Sequence, residues 1–65
     1  MLTKRSFALS GHRTSVALEP EFWAVLETLA AREGITLSAL MTRLDAERDP
    51  ARPLASALRV YALRG

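Results

Sequence analysis

The stretch Arg13-Thr14-Ser15-Val16-Ala17-Leu18 constrains the fold of this chain more than any other. Thr14, Val16 and Leu18 fall on one side of an extended backbone, and Arg13, Ser15 and Ala17 on the other. That is the period-two pattern of a half-buried β-strand. Pro20 ends it, because proline has no N–H to give to a ladder. Everything after Pro20 reads as helix. The N–H and C=O groups of a strand must be paired, so a mostly helical chain has to find a partner for this strand.

One partner is at hand in the chain itself. Just upstream, Phe7 and Leu9 alternate with Ser6 and Ala8, and Ser10-Gly11 is a turn signal because glycine tolerates positive φ. Residues 5–9 can therefore fold back on 13–18 as a hairpin. Two strands alone are marginal in water, so such a hairpin must pack on the helices or gain further strands. A chain this short also needs its core reinforced. Only 65 residues are present, with no cysteine and a single histidine. A core this small is usually reinforced by disulfides, a metal or oligomerisation. The first two lack their ligands, so oligomerisation is left, and an apolar content of 49% agrees with it. The absence of cysteine also suits a reducing compartment.

Three helices are expected. The first runs from about Pro20, a residue suited to the first helical position, to Glu33, with Glu21 in the first turn where the helix dipole favours an acid. Glu19 sits at its N-cap, which it fills less well than Ser or Asp would. Phe22, Leu26, Leu29 and Ala30 follow helical spacing with Trp23 beside them, and Gly34 stops the helix. The second runs from about Leu37 to Ala46, capped by Thr36, with Leu37, Leu40, Met41 and Leu44 on one face. The segment 47–53, ERDPARP, is a polar linker broken by two prolines. The third helix, about 53–63, carries Leu54, Leu58 and Tyr61 on one face. No internal repeat and no low-complexity segment stands out.

Charge is unevenly placed. Residues 1–18 carry Lys4, Arg5 and Arg13 and no acid, whereas all seven acids lie between Glu19 and Asp49. A basic surface is the footprint of a polyanionic partner. The opening residues contain no apolar run long enough for a signal peptide, and no segment is long enough to span a membrane. A cytoplasmic protein with no membrane partner is expected.

The order of elements resembles the ribbon-helix-helix family of bacterial DNA-binding proteins: a basic strand, a helix opened by proline, a glycine turn and a threonine-capped helix. The tract SVALEPEFWAVLETLAAREGITLSAL carries the likeness, within residues 12–44, and the GITLS turn is especially typical. The trailing LASALRVYAL resembles a subgroup with an extra C-terminal helix. The resemblance implies a mainly α fold with a short β-ribbon. In that fold two chains form an intertwined homodimer and their strands pair antiparallel across a two-fold axis; an N-terminal hairpin could add outer strands. The whole chain, 1–65, is then one domain: an arm or hairpin strand (1–10), a strand-helix-helix core (12–46), the linker (47–53) and the last helix (53–63). Val16, Leu18, Phe22, Trp23, Leu26, Leu29, Leu37, Leu40, Met41 and Leu44 would form the dimer core.

The function implied is sequence-specific binding of double-stranded DNA and transcriptional regulation, as a repressor, by a ribbon inserted in the major groove, which admits two strands. Arg13, Ser15 and Ala17 would meet base edges. Arg13 can fork onto guanine O6 and N7, Ser15 can donate or accept, and Ala17 can touch a thymine methyl. The start of the second helix (Thr36, Leu37 and Ser38) would hold a phosphate on its free N–H groups. Lys4, Arg5 and His12 would add phosphate contacts. Dimers could assemble further along DNA. A different reading keeps the fold as a protein-interaction module, antitoxin-like, in which the third helix or the linker recruits a protein partner with weak or no DNA binding. A third is a monomeric hairpin on helices with no ribbon. Neither cofactor nor metal is expected. His12 has no second histidine near it, and Asp45, Glu47 and Asp49 read as a solvated charge run. No Ser/His/Asp constellation suggests an enzyme.

Overall fold

The computed structural model describes residues 1–65 and has the order β1 (Thr3–Leu9), β2 (His12–Leu18), α1 (Pro20–Glu33), α2 (Leu37–Glu47) and α3 (Leu54–Arg64). The strand in question finds its partner inside the chain. β1 and β2 pair antiparallel as a two-stranded sheet, in a register running from Thr3 opposite Leu18 to Leu9 opposite His12. The hairpin is two residues longer at its start than the alternation of residues 5–9 suggests. Ser10 and Gly11 both have positive φ, 50° and 82°. That is the type I′ geometry whose twist matches the flanking strands.

The hairpin lies with one face on the helices, β1 over α2 and β2 over α3. Phe7 and Leu9 from β1 and Val16 and Leu18 from β2 are buried there, and they join Trp23, Leu26, Leu40, Met41, Leu44 and Leu58 in one cluster. Trp23 fixes the start of β1. Its indole Nε1 donates to the Thr3 carbonyl at 2.8 Å, and its ring lies 5.8 Å from that of Phe7. The Arg5 guanidinium covers both rings, 5.1 Å from the Trp23 centroid and 5.9 Å from that of Phe7.

The helix ends follow from local chemistry. The turn after α1 uses Gly34 in the left-handed region, with φ 70°. The Gly34 N–H donates to the Ala31 carbonyl and the Ile35 N–H to that of Ala30, a Schellman closure. Ile35 packs on the core, and Thr36 Oγ1 then accepts from Ala39 N at 3.0 Å to open α2. Glu19 makes no side-chain cap. It reaches α3 instead, accepting from Arg59 Nε at 3.0 Å, while the Arg59 guanidinium covers Phe22. An indifferent N-cap residue is thus explained by a tie forty positions away along the chain.

A second clamp joins all three helices. Glu33 takes a two-pronged pair from Arg43, at 2.6 and 3.0 Å, and Tyr61 OH donates to the same carboxylate at 3.0 Å. The Arg43 hydrogen bonds, and after them that of Tyr61, hold the Glu33 carboxyl down to about 2. Burial and the neighbouring Glu33 push the Tyr61 phenol up. Glu47 stays in α2, so the linker is residues 48–53; it is an ordered turn, in which Asp49 Oδ1 accepts from Ala51 N and Arg48 donates to the Arg52 carbonyl.

Candidate nucleic-acid interface

A strand packed on one face shows its alternate residues on the other. The outer face of the hairpin therefore carries Lys4, Ser6 and Ala8 from β1 and Arg13, Ser15 and Ala17 from β2. All are exposed except Ala17, which is half-buried. Across the strands Lys4 faces Ala17, Ser6 faces Ser15 and Ala8 faces Arg13. A two-residue turn makes its flanking pair, Leu9 and His12, exchange both main-chain hydrogen bonds, and alternation then makes Ser6–Ser15 a non-hydrogen-bonded pair. Side chains stand closest in such pairs, and the two hydroxyls meet at 3.0 Å. One hydroxyl hydrogen remains free to donate outward, and lone pairs remain on both oxygens.

Neither Lys4 nor Arg13 is paired with an acid; every ion pair lies elsewhere, at Arg43–Glu33, Arg48–Asp45 and Arg59–Glu19. The face is small-residue, polar and basic, with two free cations about 13 Å apart along the strands at roughly 3.3 Å per residue. It has the width of two strands and no bulky side chain to hold it off a groove floor.

The residues expected to contact DNA fall in several places. Arg13, Ser15 and Ala17 are together on this face, and Lys4 joins them. Arg5, expected to contact phosphate, is on the opposite face over Trp23 and Phe7 and is half-buried. His12 is exposed at the turn but shares the parity of Thr14 and Val16 rather than that of Arg13. At the start of α2, Thr36 and Ser38 are exposed and Leu37 is buried. The backbone N–H groups of Leu37 and Ser38 have no acceptor in the chain.

The core expected to need two chains is largely filled by one. Val16, Leu18, Trp23, Leu26, Leu29, Leu37, Leu40, Met41 and Leu44 are buried within the single chain, and Phe22 is half-buried. Leu58 is fully buried and Tyr61 partly so, which commits the apolar face of α3 to its own body.

Ser6 and Ala8 were missed as candidates. The signal that finds them is a repeat, which an ordinary pass along the chain overlooks because it is only seven residues long. Thr3-Lys4-Arg5-Ser6-Phe7-Ala8-Leu9 and His12-Arg13-Thr14-Ser15-Val16-Ala17-Leu18 match at an offset of nine, with Ser, Ala and Leu identical and Lys aligned with Arg.

A ribbon-helix-helix domain model matches residues 2–65. The chain belongs to the ribbon-helix-helix family. Such domains are typically DNA-binding, dimerising modules rather than enzymes. The solved structure of an uncharacterized protein from Bordetella pertussis Tohama I is similar, with 44% sequence identity and a TM-score of 0.88. The match covers 98% of this chain, hairpin included, and 54% of that one, so the chain spans about half the length of this relative. Among curated proteins nothing matches. No helix of the chain is long and apolar enough to cross a membrane.

Proposed function

We propose that this ribbon-helix-helix chain binds double-stranded DNA with the outer face of its hairpin in the major groove, and that it acts as a transcriptional regulator without catalytic activity. One observation carries the reading: a two-stranded ribbon whose exposed face holds Lys4 and Arg13 free of any acid, on a chain whose acids all lie beyond the hairpin. The major groove admits a ribbon of this width. Arg13 is the principal base reader in this assignment, since its planar fork matches guanine O6 and N7. The free N–H groups of Leu37 and Ser38, with the Ser38 hydroxyl, are suited to a phosphate oxygen and would set register rather than read sequence.

The test is fluorescence anisotropy on labelled duplexes at several salt concentrations, with Arg13→Ala alongside. Affinity should fall steeply as salt rises, the slope counting phosphate contacts, and Arg13→Ala should weaken binding to a selected site by about 1–3 kcal/mol. A chain that ignores duplex DNA at low salt does not have this function.

A further inference from the structure

The nine-residue repeat and the pairing of the strands are two halves of one symmetry. Seven strand residues plus a two-residue turn make an offset of nine the shift that carries β1 onto β2. In the observed register the pair Lys4–Ala17 maps onto Arg13–Ala8, and Ser6–Ser15 maps onto itself. A pseudo-two-fold axis therefore passes through the hairpin between the two serine hydroxyls, which touch at 3.0 Å. Around it the outer face has a basic diagonal, Lys4 to Arg13, and a methyl diagonal, Ala8 to Ala17.

The repeat is not a by-product of strand composition, because the two faces of the hairpin do not share it equally. All three outer positions repeat in kind, as Lys/Arg, Ser/Ser and Ala/Ala. On the inner face Leu9/Leu18 is kept and Phe7/Val16 stays apolar, while Thr3 aligns with His12 and Arg5 with Thr14. The inner face packs on an asymmetric body, with Trp23 beneath β1. The Ser6–Ser15 bond accounts for the serine pair, whereas no ion pair of the chain holds Lys4 or Arg13.

We propose that the hairpin is a single-chain, pseudo-symmetric reader of a short self-complementary core in duplex DNA, with Lys4 and Arg13 as two-fold-related readers on opposite DNA strands. The inference rests on the DNA-binding reading above and deepens it. A two-fold axis in the ribbon can coincide with the local dyad that a self-complementary sequence gives to the groove. One chain then supplies both halves of a ribbon that two identical chains would otherwise build between them. The basic diagonal spans about 13 Å along the strands, or about four base-pair steps at roughly 3.4 Å. Lys4 and Arg13 would meet guanines at dyad-related positions, and the serine pair would sit over the central step, where a hydroxyl can serve as donor or acceptor.

The experiment is selection of the intact chain against a random-core duplex library. Sedimentation then gives the number of chains per selected core, and the selection is repeated with Lys4→Ala, Arg13→Ala and Lys4→Arg. Both cations are exposed, so these variants should keep the fold. The expected result is a self-complementary core bound by one chain. Lys4→Ala and Arg13→Ala should each lose on the order of tenfold in affinity and relax dyad-related positions. Lys4→Arg should make the preferences at the two ends alike. Two chains on one core, with Arg13→Ala relaxing both halves and Lys4→Ala neither, would overturn the inference and leave DNA binding intact. A core without self-complementarity under one chain, or salt-sensitive binding with no enriched core, would do the same. No binding at low salt would remove the DNA reading itself.

Discussion

Seen from the helices, β1 offers Arg5, Phe7 and Leu9, and β2 offers Thr14, Val16 and Leu18. Seen from outside, the strands offer Lys4, Ser6 and Ala8, and Arg13, Ser15 and Ala17. The backbone is the same and the residues alternate, yet the two sets obey different constraints. The inner set differs between strands because what lies beneath differs: an indole that grips Thr3 and stacks near Phe7 under β1, and the apolar face of α3 under β2. The outer set is exposed apart from half-buried Ala17 and is joined across the strands by the Ser6–Ser15 bond, and it is the set that repeats. Packing explains divergence on one face, and it leaves the likeness on the other to be explained by a partner.

The sharpest way to break this comparison is to place the same charge on neighbouring residues of one strand. Val16 is buried, so Val16→Asp leaves an uncompensated charge in the core, at a cost of about 3–5 kcal/mol. The whole stability of a chain this size is roughly 3–10 kcal/mol, so the protein should lose its cooperative melt by circular dichroism. Ser15→Asp, one residue away and exposed, should melt near the parent temperature while abolishing duplex binding. If both variants folded equally well, the assignment of faces would be off by one residue. A smaller effect is expected at the inner face of β1. Trp23→Phe keeps an aromatic ring but removes the hydrogen bond to the Thr3 carbonyl, which should cost about 1–2 kcal/mol in urea unfolding. It should also speed amide exchange at the start of β1 more than at β2. Equal loosening of both strands would mean that the asymmetry under the hairpin does not matter.

How far the sequence disclosed these features depended on the range of the interaction. The period-two tract of 13–18, the Pro20 start, the Gly34 stop and the Thr36 cap are local, each settled by a few neighbours, and α1 spans the residues that pattern indicates. The division of β2 into buried Val16 and Leu18 against exposed Arg13 and Ser15 was legible for the same reason. The partner of the strand was not. Ser10-Gly11 permitted a hairpin, but an alternating strand carries no mark of whether its mate lies in the same chain. Arg5 was misleading because a cation beside Lys4 reads as surface, whereas its guanidinium lies over two aromatic rings that only the folded chain brings together. The Glu19–Arg59 and Glu33–Arg43–Tyr61 ties join residues with no shared periodicity. Ser6 and Ala8 were within reach of a self-comparison at an offset of nine, but each is too ordinary to draw attention alone.

The smallest effect sharpens the comparison from the side of the body. The Glu33–Arg43–Tyr61 clamp joins α1, α2 and α3 and touches neither strand. Arg43, and then Tyr61, hold the Glu33 carboxyl at about 2, below the ~4.3 of an unfolded glutamate. The folded state therefore binds the Glu33 proton less readily than the unfolded chain does, and the stabilisation is full above the unfolded value. It fades as pH falls from about 4 toward 2, and it is gone once the folded carboxyl is protonated. Glu33→Gln should accordingly lower the melting temperature modestly at pH 7, by less than Trp23→Phe does, because the pair is solvent-exposed and screened. The difference from the parent should shrink across that acid window. Added salt should narrow the gap at neutral pH, whereas the Trp23→Phe difference, which rests on a sheltered neutral hydrogen bond, should persist. A Glu33→Gln gap unchanged down to about pH 2 would mean that the clamp acts through packing of the Arg43 and Tyr61 side chains rather than through the charge on Glu33.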